Sequence, residues 1–295
     1  MKTARNINNL IIDAFCYISL SLLAIATLLP FMNVLAKSLS ANWAIISGKV
    51  KILPVGLQLD SLEYVVSSKS FINAFFNSVT VTVGGTLLAI SLTALTAYPL
   101  SKKHLFGIKF VLLLFVFTML FNGGMIPNYL LIKELGLLNK LWALMLPGMI
   151  SVFNMLIVKS YYESLPESIE ESAKLDGASN LIILLRIVLP LSMPVLATIS
   201  LFYAVTLWND YFNPMLYITK SSARTLQLYL RDIVMEAMSE TGDISKNATM
   251  DQLDTLSPES IRAAAIIAST VPILLIYPFL QKHFIKGVLI GSVKG

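Results

Sequence analysis

The sequence predicts an all-α, polytopic membrane protein with six transmembrane helices. Of the 295 residues, 56% are hydrophobic and 13% are charged, a balance typical of integral membrane proteins. The apolar residues form long continuous runs, whereas a membrane β-barrel shows short alternating segments. A spanning helix needs roughly 20 mainly apolar residues. Six runs meet this requirement: 10–36, 71–99, 108–131, 141–160, 187–208 and 262–281.

Basic residues orient these segments. The short connection 100–107 carries Lys102 and Lys103, and Lys2 and Arg5 precede the first segment. Lysine and arginine are enriched in cytoplasmic loops, and an even number of spans places both termini on one side, so both are predicted to be cytoplasmic. The net charge of +5 is explained in this way, and no nucleic-acid partner is expected. The outward connections are then 38–70, 132–140 and 209–261.

The centres of the six segments contain no Asp, Glu, Lys, Arg or His. A charge at a helix centre costs about 2.5 to 3.5 kcal/mol on insertion scales, and ion-coupled carriers accept this cost to obtain a relay. The pattern therefore favours a transporter energised by another molecule. A stand-alone carrier remains an alternative, because sodium sites can be built from carbonyls and hydroxyls alone.

Other chemistry finds little support. The sequence has no G-x-x-x-x-G-K-[ST] loop, so any ATP would be bound by a partner. One cysteine and two widely separated histidines predict neither a disulfide framework nor a metal site. A membrane-embedded enzyme is a third hypothesis, but no group of residues has the pattern of a catalytic site.

A hydrophilic stretch, SLPESIEESAKLDG (164–177), interrupts the apolar sequence between the fourth and fifth segments. Ser164 and Glu167 have the spacing of a capping box, in which the serine accepts from the glutamate amide. Gly177 suits a left-handed helix stop, and Ser179 can cap the helix that follows. A surface helix of about three turns is therefore predicted.

The helical wheel divides this helix into two sides. The weakly apolar side holds Leu165, Ile169, Ser172, Ala173 and Asp176, and the charged side holds Glu167, Glu170, Glu171 and Lys174. Glu170 and Lys174 are expected to pair at i, i+4 spacing. The shape suits a groove in another protein. Two alternatives are a helix that lies unpartnered at the membrane interface and a catalytic use of the carboxylates.

The same stretch resembles the EAA loop of ABC importer permeases, E-A-A-x-x-x-G-x9-I-x-L-P. Glu171-Ser172-Ala173, Gly177 and Ile187-x-Leu189-Pro190 match its spacing, with Ser172 in place of the usual alanine. Four further stretches resemble the carbohydrate group, in particular the maltose-type second permease subunit: 175–180, 190–196, 207–218 and 282–295. Residues 121–148 resemble the branch associated with plant-wall and uronic-acid-containing oligosaccharides.

The resemblance implies the fold of an ABC type I importer transmembrane domain. Its parts would be a first helix and outer loop at 1–70, a permease core at 71–285 and a cytoplasmic tail at 286–295. The core would include the coupling loop 161–190 and the outer loop 209–261. The coupling helix would contact a cytoplasmic ATPase through Leu165, Ile169, Glu171, Ser172, Ala173, Asp176 and Gly177.

The implied complex lies in a bacterial plasma membrane. It contains a second permease subunit in a heterodimer, two copies of an ABC ATPase and an extracellular solute-binding protein. ATP and Mg²⁺ would be used by the ATPase, and this chain, a non-catalytic subunit, would bind no cofactor. An importer for a non-sugar solute remains an alternative, and the sequence does not name the sugar.

Sugars are bound by amides, hydroxyls and aromatic faces. Residues of these types near or within the segments are the candidates for a substrate path: Asn77, Asn122, Asn154, Trp208, Asn209, Asp210 and Tyr211. For Trp208 and Tyr211 the alternative is a place in the aromatic belt of the membrane interface. Gly123-Gly124 with Pro127, and Pro214, predict broken or kinked helix ends beside such a path.

Overall fold

The computed structural model of the chain describes residues 7–102, 105–121, 123–236 and 256–292. Its regular elements are helical within these ranges, apart from one isolated β-bridge between Ser40 and Leu57. The all-α prediction is therefore confirmed. The first eight helices are α1 (Ile7–Ser38), α2 (Asn42–Ile46), α3 (Asp60–Ser67), α4 (Lys69–Ser101), α5 (Ile108–Leu120), α6 (Met125–Glu134), α7 (Trp142–Met145) and α8 (Val152–Glu163). The others are α9 (Glu167–Leu175), α10 (Asn180–Ile183), α11 (Leu189–Leu191), α12 (Met193–Asn209), α13 (Phe212–Tyr217), α14 (Leu226–Glu236) and α15 (Pro258–Ser292).

Three helices are long and apolar enough to cross a membrane, over Ile12–Ser38, Lys69–Ser101 and Pro258–Leu275. The pair α5 and α6 bends by 111°, and Asn180–Leu191 meets α12 at 81°, which gives up to five spans in the described residues. Gly124, at φ +95°, caps α6, so the predicted break at Gly123-Gly124 lies in the first bend.

The predicted segment 141–160 is divided between α7 and α8. Pro147 and Gly148 lie between the two helices, and proline supplies no N–H to continue a helical hydrogen-bond ladder. A new helix begins after Ser151, whose Oγ accepts from the Asn154 N–H at 3.4 Å. This segment therefore forms no continuous span, and the count of six spans stays a prediction.

The chain forms two compact units. One contains the described residues of Met1–Ser68 and Leu230–Pro272, and the other contains those of Lys69–Tyr229 and Ile273–Gly295. In the first unit, Ala36, Ala44, Ile45 and Val50 form a small core where α1 ends and α2 begins. The start of α15 is held to it by an ion pair, Lys37 to Glu259 at 2.5 Å.

The second unit is built around α4, which packs against α8 and α12. A stripe of small buried residues at helical spacing runs along α4: Ala74, Ser78, Gly85, Ala89, Thr93 and Ala97. Small residues let helix backbones approach closely inside a membrane protein. A Cβ added at Gly85 would lie 2.7 Å from Leu207 Cδ1 on α12, so a side chain there would require the end of Leu207 to move.

One hydroxyl joins three helices at the centre of this unit. Tyr203 Oη on α12 lies 2.8 Å from Thr93 Oγ1 on α4, and it accepts the Ser151 N–H at 2.9 Å at the start of α8. Tyr203 is 5% exposed, and an unpaired polar group at such a site would cost about 1 to 3 kcal/mol. The network therefore fixes the register of α4, α8 and α12.

The I-x-L-P residues form the bend that leads into α12. A π-helical turn, Leu184–Val188, is followed by α11, and the chain turns at the fully buried Ser192. Tyr161 Oη on α8 donates to the Leu191 carbonyl at 3.1 Å. Because Pro190 and Pro194 supply no N–H, the helical ladder is interrupted on both sides of the turn. This bend sets the direction in which the chain continues from α9 and α10 into α12.

Candidate coupling helix and outer cavity

The predicted hydrophilic helix is α9, which has 9 residues and is slightly shorter than three turns. Its N-cap position is Pro166, and no side chain caps it. Ser164 instead closes α8, and its Oγ donates to the Tyr161 carbonyl at 2.7 Å. The predicted capping box between Ser164 and Glu167 is therefore wrong, because the serine hydroxyl is used by the preceding helix.

The end of α9 is a Schellman motif. The Gly177 N–H donates to the Lys174 carbonyl at 3.0 Å, and the Ala178 N–H donates to the Ala173 carbonyl at 2.9 Å. Gly177 has φ +81°, in the left-handed region where an L side chain is strained. The predicted glycine stop is confirmed. Ser179 occupies the predicted N-cap position of α10, but its side chain makes no capping hydrogen bond.

Two residues predicted for the contact with an ATPase lie against this chain. Leu165, Ala173 and Ala178 pack against the core formed by α4, α8 and α12. Leu165 and Ala173, expected to contact an ATPase, therefore face this chain. The physical reason is that two alanines beside the Schellman turn complete the core, which the helical wheel alone does not show.

The outward side of α9 carries the remaining predicted residues. Glu171, Ser172, Asp176 and Gly177 are exposed, and Ile169 is 37% exposed. Leu175, which the sequence analysis missed, is 89% exposed. The available signal was a large apolar residue at the end of an otherwise hydrophilic helix.

Glu170 makes an ion pair that the sequence analysis also missed. Lys102 Nζ, at the end of α4, lies 2.5 and 2.6 Å from the two Glu170 carboxylate oxygens. The same Nζ lies 4.7 Å from the centroid of the Tyr98 ring. Among the described residues Glu170 thus pairs with Lys102, and the predicted pair with Lys174 is wrong. The fold brings Lys102 of α4 to Glu170, so Glu170 pairs with that lysine and not with Lys174 on its own helix.

A cavity of about 110 Å³ lies beside the middle of α4. Its apolar walls come from α4, α7 and α12 and include Gly85, Ala89 and Met145. Its polar wall consists of Tyr203, Thr206, Asp210 and Asn213. Burial raises the pKa of nearby Tyr217, and the Asp210 carboxylate raises it further, so this phenol stays neutral near pH 7.

Asp210 is the predicted substrate-path residue that lines this cavity. Its Oδ1 accepts the Phe212 N–H at 3.1 Å and the Asn213 N–H at 3.2 Å, and its Oδ2 accepts Asn213 Nδ2 at 2.7 Å. These bonds satisfy the first amides of α13. The carboxylate is therefore fixed in place beside the cavity by the helix that it starts.

The structure gives other candidates structural contacts. Asn77 Nδ2 donates to the Ser222 and Arg224 carbonyls, both at 2.9 Å, and holds this loop against α4. Asn209 Nδ2 donates to Val205 O within α12 at 2.9 Å. Asn154 is buried in the first turn of α8. Asn77 therefore donates its side-chain N–H groups to the backbone, and Asn209 donates one of its own. These N–H groups are not free to bind a sugar.

The two aromatic candidates differ in exposure. Trp208 is 9% exposed and packs edge to face on Phe75, with ring centroids 6.3 Å apart. Its buried Nε1 has no hydrogen-bond partner among the described residues. Tyr211 is 50% exposed beside the start of α13. Asn122 lies outside the described residues.

Comparisons with known proteins identify the family. Residues 3–290 match the binding-protein-dependent transport system inner membrane component family. The chain is 44% identical over 287 residues to the polygalacturonan/rhamnogalacturonan transport system permease protein YtcP of Bacillus subtilis (strain 168), covering 97% of this chain and 99% of that protein. It is 44% identical over 271 residues to protein LplC of the same strain, with coverage of 91% and 90%.

A solved structure agrees with these relatives. A chain of a bacterial ABC transporter involved in the import of the acidic polysaccharide alginate superposes with a TM-score of 0.86 and 30% sequence identity. The match covers 95% of this chain and 98% of that chain. The chain therefore belongs to the family of binding-protein-dependent transport system inner membrane components, the permease subunits of ABC importers.

Proposed function

We propose that this permease imports oligosaccharides that contain uronic acids. The observation that carries the proposal is the likeness to two proteins named for acidic polysaccharides, polygalacturonan/rhamnogalacturonan and alginate. Uronic acids carry carboxylates, which are attracted to basic groups at the entrance of a transport path. The sugar class thus follows from two relatives that share one chemical feature.

Two lysines near α13 carry the positive charge that an anionic sugar would be attracted to. Asn139 Oδ1 accepts the Thr219 N–H at 2.7 Å and the Lys220 N–H at 2.8 Å, which ties the connection 135–141 to the segment after α13. Lys140 and Lys220, which flank this junction, are both exposed. A pair of lysines fixed on one surface favours a polyanionic solute over a neutral one.

The energy is supplied by partners. In this proposal α9 docks in a groove of a cytoplasmic ABC ATPase, and Leu175 and Ile169 provide the apolar contact. The complex contains two ATPases, this chain and a second, different permease subunit, and an extracellular solute-binding protein. ATP and Mg²⁺ are bound by the ATPases, and this chain is a non-catalytic subunit that holds no cofactor.

The proposed topology places the complex in a bacterial plasma membrane with both termini in the cytoplasm. Lys102, at the end of α4 that carries α9, agrees with the rule that cytoplasmic connections are basic. Asp210 follows α12 at the end of that helix away from the bend at Ser192, and we assign this end to the side of the extracellular binding protein.

The test is transport by the purified complex in proteoliposomes. We expect ATP-dependent uptake of oligogalacturonate together with its cognate binding protein, and no uptake of a neutral maltooligosaccharide of equal length. Uptake of the neutral sugar alone would refute the substrate class. Uptake by this chain without an ATPase would refute the ABC assignment itself.

ATPase docking is tested separately with Leu175→Asp. Burial of a leucine side chain contributes about 1.5 to 3 kcal/mol, so we expect ATPase binding to the detergent-solubilised permease pair to weaken by at least tenfold. Leu135→Asp is the matched control, because Leu135 is 61% exposed in the connection after α6. Equal binding by both variants would exclude Leu175 from the ATPase contact.

A further inference from the structure

The ion pair between α9 and α4 joins the proposed coupling helix to the central helix of the unit. We propose that Lys102 and Glu170 form a strut through which movement of α9 reaches α4. Both are positioning residues, and the inference rests on the proposed ATPase coupling. It specifies which contact inside this chain carries the movement.

The geometry distinguishes this pair from an ordinary surface ion pair. The side chains of Lys102 and Glu170 are 20% and 13% exposed, and Nζ contacts both carboxylate oxygens. Lys102 Nζ also lies over the Tyr98 ring, and Tyr98 Oη donates to Glu170 Oε2 at 3.5 Å. Partly buried charges are screened much less by salt than exposed ones. The pair is therefore a stiff contact.

The other contacts of α9 with this chain are apolar and less directional than the ion pair. Leu165, Ala173 and Ala178 are only partly buried against the core. Apolar contacts are non-directional, so small apolar groups allow a helix to slide or roll over the surface beneath it. A charge-assisted pair, in contrast, has a defined length and orientation. It is the contact best suited to transmit a displacement of α9.

The strut also spans the weakest point of α4. Pro99 lies inside this helix and removes one intrahelical hydrogen bond. Glu170 contacts Tyr98 before the proline and Lys102 after it. The two contacts hold both sides of Pro99 to one carboxylate. A pull on Glu170 is therefore applied to the body of α4 and not only to its last turn.

The same helix forms a wall of the distant cavity. Gly85 and Ala89 line the cavity beside Asp210, and 17 residues separate Gly85 from Lys102. At a rise of 1.5 Å per residue, this is roughly 25 Å of continuous helix. Coupling over such a distance needs a contiguous rigid element, and α4 supplies it.

The experiment measures the ratio of solute imported to ATP hydrolysed in the reconstituted complex. We expect Lys102→Met and Glu170→Gln each to lower this ratio by about fivefold or more, the low end of usual coupling effects. ATPase binding and ATP hydrolysis should stay near those of the unaltered complex. The charge swap, Lys102→Glu with Glu170→Lys, should restore much of the ratio.

Lys159→Met is the matched control. Lys159 pairs with Glu163 at 2.9 Å in the same region, but both residues belong to α8, so this pair joins no two elements. Its loss should leave the ratio unchanged. If the two strut variants assemble poorly, Glu170→Asp keeps the charge and shortens the side chain, and it should lower the ratio in an assembled complex.

The outcomes separate this inference from the proposed function. A normal ratio in Glu170→Gln, or equal losses in the strut and Lys159 variants, would overturn the strut. A fall in ATP hydrolysis equal to the fall in uptake would also overturn it, because coupling would then be intact. Failure of the unaltered complex to use ATP for uptake would instead overturn the proposed function.

Discussion

Replacement of Gly177 tests the turn that ends α9. Gly177 has φ +81°, and no atom lies within 4 Å of an added Cβ. A side chain there meets no neighbour, so its whole effect is backbone strain of roughly 1 to 2 kcal/mol. That energy shifts the balance between the native turn and a relaxed one by about 5- to 30-fold. We expect uptake by Gly177→Val to fall by a similar factor.

The series of variants separates strain from bulk. Asparagine tolerates the left-handed region, so Gly177→Asn should keep most of the uptake, Gly177→Ala should lose more and Gly177→Val most. Uptake into proteoliposomes that contain the ATPase and the binding protein is the assay. Expression and membrane insertion should stay normal in all three, because the spans are unaffected.

A matched glycine provides the control. Gly136 has φ +65° with equally open space around it, but it lies in the connection after α6. Gly136→Val should carry similar strain and leave coupling intact. Equal uptake by Gly177→Val and the unaltered chain would refute the role of this turn. An equal loss in Gly136→Val would show that the effect is general destabilisation.

Two further predictions concern stability. Gly85→Ala should melt at a slightly lower temperature than Gly84→Ala. Both substitutions gain the same helix propensity, but only the Cβ added at Gly85 lies 2.7 Å from Leu207 Cδ1, which then has to move. Equal melting temperatures would contradict the close approach. Tyr203→Phe should lower stability by about 1 to 3 kcal/mol, because the partly buried Ser151 N–H loses its acceptor and the buried Thr93 hydroxyl loses its partner. An unchanged thermal unfolding curve in detergent would show that the hydroxyl network is dispensable.

The sequence predicted the features that depend on local chemistry. The long apolar runs gave the helical class, and Gly177 gave the helix stop because few other residues adopt its backbone conformation. The hydrophilic helix was placed correctly because four carboxylates interrupt an apolar sequence. In each case the signal lies within a few residues, where steric limits and hydrogen-bonding needs act directly.

The features that were missed depend on partners distant in sequence. Glu170 faces inward because Lys102, 68 positions away, neutralises it, and a helical wheel treats every carboxylate as outward. Asn77 was expected to meet a sugar, but the carbonyls of Ser222 and Arg224, more than 140 positions later, take up its amide. Chain topology decides such contacts, and no local pattern encodes it.

The contacts of the substrate-path candidates bear on which residues determine sugar specificity. Of the described substrate-path candidates, Asn77 and Asn209 donate to backbone carbonyls, Trp208 is buried against Phe75, and Asp210 caps α13. Side chains that are bonded or buried within the scaffold have fewer groups available to distinguish one sugar from another. We therefore expect sugar selection to depend on exposed groups such as Tyr211 and on the partner proteins, and α4 and α9 to serve the proposed coupling. A change of sugar specificity in this complex should require changes outside this chain's core.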